Sequence, residues 1–407
     1  MEVYLVGGAV RDSLLGLPVR ERDWVVIGAR PADLEQQGYK PVGREFPVFL
    51  HPQTHEEYAL ARLERKVGPG YRGFITEFSP AVTLEQDLER RDLTINAIAR
   101  RDDGQLIDPF GGQRDLQARI LRHVSDAFTE DPVRILRVAR FAARFAELGF
   151  SIAPETLDKM REMVAAGEVN ALVPERVWQE TERALACKRP EVFFEVLRSC
   201  GALLAIFPEI EALYGVPQPA RWHPEIDTGL HTLLALQQAA RLGGSVAVRF
   251  ATLVHDLGKA RTPRDRWPSH HGHEEQSVAL INALARRLKV PAAFHELAVL
   301  VARHHGNVHR AAELRPATVV ELFEKTDAFR RPERFTELLL ACEADARGRT
   351  GLENRDYPQA DYLRGARDAA AAVALSEAGR EGLDGPAIGK EIRAQRVAAV
   401  AALRPVK

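Results

Sequence analysis

Residues 5–28 read LVGGAVRDSLLGLPVRERDWVVIG, and this stretch decides how the first part of the chain is built. Two apolar runs of strand type, VYLVGG (3–8) and DWVVIG (23–28), flank a helical segment, AVRDSLLG (9–16), that opens on Gly7 and Gly8. In a strand–glycine–helix unit backbone N–H groups can approach a phosphate, and a helix start favours an anion. Arg11, one turn into the helix, adds a guanidinium. Glu21 and Asp23 stand two residues apart on the lip of the second run. In an extended chain that spacing aims both carboxylates to one side. Paired hard oxygens suit Mg²⁺, which is completed by substrate phosphates. An isolated acid-x-acid is more often a solvated turn, and Gly-Gly alone more often a plain turn. Their concurrence with Arg11 describes a nucleoside triphosphate and metal site.

Further strand signals follow at PVFLH (47–51), EEYALAR (56–62) and GQLIDPF (104–110), with LTINAIARR (93–101) read as helical. From Asp131 the texture changes to long amphipathic segments with caps or an early Pro, such as 131–150, 154–167 and 174–187. The fold class expected is α+β: an N-terminal head with a small mixed β-sheet, then an all-α remainder. The expected division is head 1–140, helical neck and body 141–220, a histidine-rich unit 221–350 and a helical tail 351–407, with the proline-rich stretch 217–227 as a linker. The 407 residues carry a net charge of −1, so any nucleic-acid contact uses local patches rather than a general basic coat. Three widely spaced cysteines give no disulfide framework. No apolar run approaches a membrane span, and a cytoplasmic location without membrane contact is expected.

The helix expected over 131–150 holds Arg134, Arg137, Arg140 and Arg144 with no acid among them. Arg137, Arg140 and Arg144 fall within roughly a 60° arc, while Ile135, Val138, Ala142 and Phe145 gather on another side suited to a core. Asp131 and Arg134 stand i, i+3 at its start. Cytosine and adenine both offer an amino donor beside a ring-nitrogen acceptor. An Asp accepts from the first and an Arg donates to the second, whereas uracil and guanine present the reverse.

The series LVGGAVRDSLLG, acid-x-Asp, RRDLTINA (90–97), DPFGG (108–112), EDPVRILRVARF (130–141) and PERVWQE (174–180) resembles, in order, the motifs of the class II tRNA nucleotidyltransferases. This family includes the CCA-adding enzymes and the bacterial poly(A) polymerases. The resemblance implies nucleotide contacts at Gly8, Arg11, Arg91, Arg137 and Arg140, metal binding at Glu21 and Asp23, and base selection by Asp131 and Arg134. Glu21 departs from the Asp common at that position, by one methylene. Glu57 is a candidate third carboxylate. The implied activity is addition of C, C and A to the tRNA acceptor end from CTP and ATP, in a monomer or homodimer. Such transfer asks for positioning and charge neutralisation more than covalent chemistry, which arginines and acids supply.

Ten of the 13 histidines lie between His223 and His309. ATLVHDLGKA (251–260) places His255 and Asp256 in an apolar helix ending near Gly258, where such a pair is costly unless paired or metal-bound. With His231 and Asp345 they resemble the His…His-Asp…Asp pattern of HD phosphohydrolases. The region from Trp222 is similar to the HD-bearing bacterial CCA-adding enzymes. Imidazole and carboxylate ligands suit a divalent transition metal, Ni²⁺ among them. The resemblance implies 2′,3′-cyclic phosphodiesterase and phosphatase activity. The remaining histidines are expected mostly at the surface or behind the ligands. Two alternatives stand beside this reading: a poly(A) polymerase, disfavoured by the HD unit and the near-neutral charge, and an HD phosphohydrolase whose head only senses nucleotides.

Overall fold

A computed structural model describes residues 1–42, 48–66, 74–377, 381 and 384–403. Contacts divide the chain into two compact units, Met1–Ala184 with Val192–Ile206, and Leu185–Glu191 with Phe207–Lys407.

The first unit begins with β1 (Glu2–Val6), α1 (Gly8–Leu14), β2 (Asp23–Ile27), α2 (Pro31–Gln36), β3 (Lys40–Val42), β4 (Val48–Leu50) and β5 (Glu57–Leu60). A separate hairpin, β6 (Arg62–Lys66) and β7 (Phe74–Phe78), and α3 (Leu84–Glu89) precede β8 (Ala99–Arg100) and β9 (Leu106–Ile107). Seven strands form one sheet in the order β3-β4-β5-β2-β1-β8-β9. Only β2–β5 is parallel, so the sheet is mixed, as expected.

Both faces of the central strands are covered. Tyr4, Val6 and Val25 pack with Ala61, Leu88 and Ala97 on one side, and Val26, Leu60 and Phe49 with Leu34 on the other. Double-sided burial explains why these strands read as nearly continuous apolar runs. The segment LTINAIARR is not the expected helix: Thr94–Asn96 is one 3₁₀ turn and Ala99–Arg100 is a strand. Leu93, Ile95, Ala97, Ile98 and Ala99 are all fully buried, so no polar face exists for a helix to present. Thr94 instead donates to Asp115, and Asn96 to Asp92.

After α4 (Gly112–Ala118) the unit becomes helical, with α5 (Val133–Phe145), α6 (Pro154–Ala165), α7 (Pro174–Leu185), α8 (Glu191–Ser199) and α9 (Ala202–Ile206). The apolar side expected for α5 is buried at Ile135, Val138, Ala142 and Phe145.

The second unit comprises α10 (Pro208–Glu211), α11 (Thr228–Arg241), α12 (Val246–Val254), α13 (His273–Leu288), α14 (Ala292–His309), α15 (Pro316–Lys325), α16 (Pro332–Arg347), α17 (Pro358–Ala371) and α18 (Gly385–Ala402). The stretch 217–227, read as a linker, is a tied turn: Pro217 bridges Asp227, and Gln218 and His223 are buried. No helix among the described residues is long and apolar enough to cross a membrane.

Candidate active sites

In the head, pairing of the strands brings the acids together. Register sets Val6 opposite Asp23, and Asp23 opposite Glu57. Neighbours across strands point to one face, so Asp23 and Glu57 share it although 34 residues separate them in sequence. Glu21, just before β2, is exposed, and its charge acts on Asp23. Partial desolvation raises the Asp23 carboxyl; Arg91 draws it down, and Glu21 pushes it up again. The chain after Val6 turns at Gly7 with φ of 67°, a left-handed conformation suited to glycine. A Cβ there would lie 3.0 Å from Nη1 of Arg91. Gly7, Arg91 and Asp23 therefore meet at the mouth where α1 begins, with Gly8 as its first residue.

The arginines are held by acids. Arg11 is buried, donates to Asp12 (2.8 Å) and Asn96 (2.5 Å), and lies over the rings of Phe141 and Phe145. Burial pushes its pKa down to about 10, against the pull of Asp12. Arg144 reaches the other oxygen of Asp12 (2.7 Å), so this carboxylate ties α1 to α5. Arg137 donates to Asp92 (2.7 Å) and Arg140 to Glu180 (2.5 Å). Burial alone would raise Asp92, but Arg137 and Asn96 hold it well below the carboxylate range.

Arg134 lies in the first turn of α5 and Asp131 just before its N-cap Pro132, and their side chains engage other groups. Asp131 accepts from the backbone N–H of Val133 and takes two bonds from Arg176, at 3.3 and 2.8 Å. Arg134 donates to the carbonyls of Ala127 (2.6 Å) and Arg90 (2.5 Å). Asp12, Asp92, Arg176 and Glu180 were not singled out from sequence, although all four lie inside the quoted motifs. The burial of Asp12, Asp92 and Glu180 is what the motifs could not display.

In the second unit, His231 from α11, Asp345 from α16 and the His255-Asp256 pair converge. Helix α12 stops at Val254, earlier than expected, and His255 caps it before a 3₁₀ turn over Leu257–Arg261. The break turns both side chains inward. Gly258 makes the close approach possible: a Cβ would sit 2.1 Å from the carbonyl oxygen of His273. His231 Nε2 lies 2.9 Å from Asp345 Oδ1, and His255 Nε2 lies 3.2 Å from Asp256 Oδ2 and 3.6 Å from Asp345 Oδ2.

Two histidines expected at the surface or behind the ligands point into the same cluster. His273 Nε2 is 3.1 Å and His305 Nε2 3.6 Å from Asp256 Oδ1, and the two nitrogens are 3.2 Å apart. Their spacing in SHHGH and RHHGNVH gave no periodic cue, whereas His271 is exposed as expected. Lys259 also reaches Asp256 Oδ2 (2.6 Å).

The imidazoles are oriented by backbone carbonyls, which only accept. His255 Nδ1 donates to Thr252 (2.7 Å), His273 Nδ1 to His270 (2.7 Å) and His305 Nδ1 to Ala302 (3.0 Å). Each Nε2 is thereby directed at carboxylate oxygens. His255 Nε2 and Asp256 Oδ1 are buried and, among the described residues, make no hydrogen bond. Burial keeps His305 neutral, its pKa pushed down to about 3. Converging imidazole nitrogens and carboxylate oxygens fit a divalent cation, and His231, His255 and Asp256, or Asp256, His273 and His305, lie close enough to hold one.

Residues 3–122 match the poly A polymerase head domain, 149–214 the model described as "Probable RNA and SrmB- binding site of polymerase A", and 228–348 the HD domain. A multifunctional CCA protein of Thioalkalivibrio sulfidiphilus is 65% identical over 404 residues, covering 99% of both chains. The chain belongs to the multifunctional CCA protein family. A second member, from Nitrosococcus oceani, is 64% identical over 400 residues, 98% of each chain. Among solved structures, a CCA-adding enzyme with ATP aligns with a TM-score of 0.67 at 19% identity, covering 98% of this chain and 86% of that one. The Bacillus stearothermophilus CCA-adding enzyme in complex with CTP aligns at 0.65 with 23% identity, covering 98% and 89%. These likenesses establish the fold, and the multifunctional CCA proteins supply the family.

Proposed function

We propose that the chain adds C, C and A to the 3′ end of tRNA from CTP and ATP, releasing pyrophosphate, and that its HD unit hydrolyses phosphoesters, including 2′,3′-cyclic ends. The observation that carries this is 65% identity with a multifunctional CCA protein over nearly the whole length, both sites included. Residues 1–140 carry transfer, 141–220 and 351–407 hold the acceptor arm, and 221–350 carry hydrolysis.

Glu21, Asp23 and Glu57 hold Mg²⁺ in the head; the shared face of Asp23 and Glu57 supports the third carboxylate. The metal supplies charge neutralisation at the transferring phosphate. Gly8, Arg11, Arg91, Arg137 and Arg140 frame the triphosphate. Of these, Arg91 stands beside Asp23, while Arg11, Arg137 and Arg140 also brace the neighbouring acids. Asp131 reads the amino group of cytosine or adenine, and Arg134 the ring nitrogen. Arg176 holds Asp131 in orientation. In the HD unit, His231, His255, Asp256 and Asp345 would hold a divalent transition metal such as Ni²⁺, whose chemistry there would be to activate water.

The test is purified protein with tRNA lacking its CCA end, CTP and ATP. A product longer by three nucleotides with pyrophosphate released supports the reading. A poly(A) tail made from ATP alone, or no extension, overturns it.

A further inference from the structure

Two side chains outside the residues matched by the HD domain, 228–348, close on its centre from either end of the sequence. Glu225 lies before α11 and its side chain is 3% exposed. Its Oε1 is 3.0 Å from Nδ1 of His231, which also lies 3.0 Å from the carbonyl of Gly348. Nδ1 therefore carries the proton, and Nε2 is directed at Asp345. Tyr357, the N-cap of α17, is buried, and its hydroxyl is 2.8 Å from Nδ1 of His309. His309 Nε2 is in turn 2.6 Å from Asp345 Oδ2. Burial pushes the Tyr357 phenol well up, so it stays protonated and donates. With Nδ1 accepting, the His309 proton resides on Nε2 and is given to Asp345.

We propose that Glu225 and Tyr357 are positioning residues of the HD centre: Glu225 fixes the ring of His231, and Tyr357, acting through His309, fixes the carboxylate of Asp345. This rests on the metal-binding reading of the HD unit. The two relays end on opposite oxygens' partners of one carboxylate. His231 meets Oδ1 and His309 meets Oδ2, so Asp345 has its torsion set from both sides. Partners behind metal ligands fix tautomer and orientation, and losing one typically weakens metal binding about 10- to 100-fold. The stretch after the HD match, through Tyr357, is thereby part of the HD site.

The experiment titrates Co²⁺ into metal-free full-length protein, with visible absorption reporting both affinity and ligand geometry. Tyr357→Phe and Glu225→Gln are each expected to weaken Co²⁺ binding about 10- to 100-fold and to change the absorption band. The metal-free variants fold as the wild type does, and CCA addition by Glu225→Gln, which lies outside the stretches assigned to the acceptor arm, remains at the wild-type level. Glu225→Asp, which keeps the carboxylate, recovers part of the affinity. His309→Gln serves as a second probe of the Tyr357 relay should Tyr357→Phe not accumulate, with the same loss expected. Wild-type affinity and spectrum in these variants overturn the proposal while leaving the HD reading intact. If the wild-type protein itself takes up no Co²⁺, the HD metal reading falls, and this proposal with it.

Discussion

Arg11, Arg137, Arg140 and Arg144 of the head each meet an acid within 2.8 Å, so its buried charges are balanced by the chain itself. In the HD unit buried imidazoles and carboxylates converge on a point where, among the described residues, His255 Nε2 and Asp256 Oδ1 make no hydrogen bond, although Lys259 pairs with the other oxygen of Asp256. The head acids proposed to take a metal, Glu21, Asp23 and Glu57, are exposed instead, at or just before the starts of the interior strands β2 and β5. The head is thus a frame of paired arginines and acids beside a solvent-facing lip, where the proposed cation would sit. The HD centre is a cluster of buried imidazoles and carboxylates close enough together to hold a cation. A buried charge left unpaired is costly, whereas an exposed carboxylate is not.

This contrast predicts that the two activities separate cleanly. Asp23→Ala should have the largest effect, a loss of nucleotide addition of roughly a thousandfold or more, since metal neutralisation contributes several kcal/mol. Phosphoester hydrolysis by the same preparation should persist. Incorporation of CMP into CCA-less tRNA is the measurement, and near-normal incorporation would remove Asp23 from the metal site. The reverse holds for Asp256→Ala. Hydrolysis of a 2′,3′-cyclic substrate with Ni²⁺, Co²⁺ or Mn²⁺ should vanish while CCA addition continues. Loss of both activities together would tie the sites more closely than their chemistry requires.

The comparison sharpens within the head. Asp131→Ala should narrow the advantage of CTP and ATP over UTP and GTP, by about 1–3 kcal/mol, the cost of leaving a polar partner unpaired. Arg134→Ala should do the same and also frees the carbonyls of Ala127 and Arg90, so some loss of stability accompanies it. Arg137→Ala should weaken all four nucleotides alike. Single-nucleotide incorporation with each triphosphate separates these outcomes, and unchanged discrimination in both Asp131→Ala and Arg134→Ala would place base choice elsewhere.

The smallest effect is in acid. Burial pushes His223 and His304 down to about 4. Their folded pKa lies below the ordinary value of about 6.5, so the unfolded chain takes the protons. The stability present above pH 6.5 declines as pH falls towards 4. In the head, Asp87 and Asp92 would be raised by burial but are held below the ordinary carboxylate value by Arg90, Arg91 and Arg137. Their contribution is lost only at lower pH. Hydrogen exchange of the metal-free protein should show protection falling in residues 207–403 before the head as pH drops from 6.5 to 4. Loss in the opposite order would mean that the histidines are solvated.

The head was more legible in the sequence than the HD centre. VYLVGG, DWVVIG and EEYALAR are strands, and α5 buries the side its periodicity assigns. LTINAIARR misled because burial on all sides leaves no polar face, and a short apolar run then carries no period. His255 and Asp256 stood out as an expensive pair in an apolar run. His273 and His305 did not, since they sit on separate helices where a histidine costs nothing until a neighbour shows what it faces.

The sequence by itself determined whatever depends on short spacing. Glu21 and Asp23 stand two apart, Gly7 and Gly8 open a helix, and the arginines of α5 share an arc, because strand and helix periods act over a few residues. Only the tertiary structure decided that Glu57 lies beside Asp23, through the one parallel pairing of the sheet. It also decided that His231 meets Asp345 across 114 residues, that Arg176 clasps Asp131, and that Tyr357 reaches the HD centre through His309. Those encounters are set by which apolar faces pack together, and the identity of a polar residue says nothing of the partner that packing will bring to it.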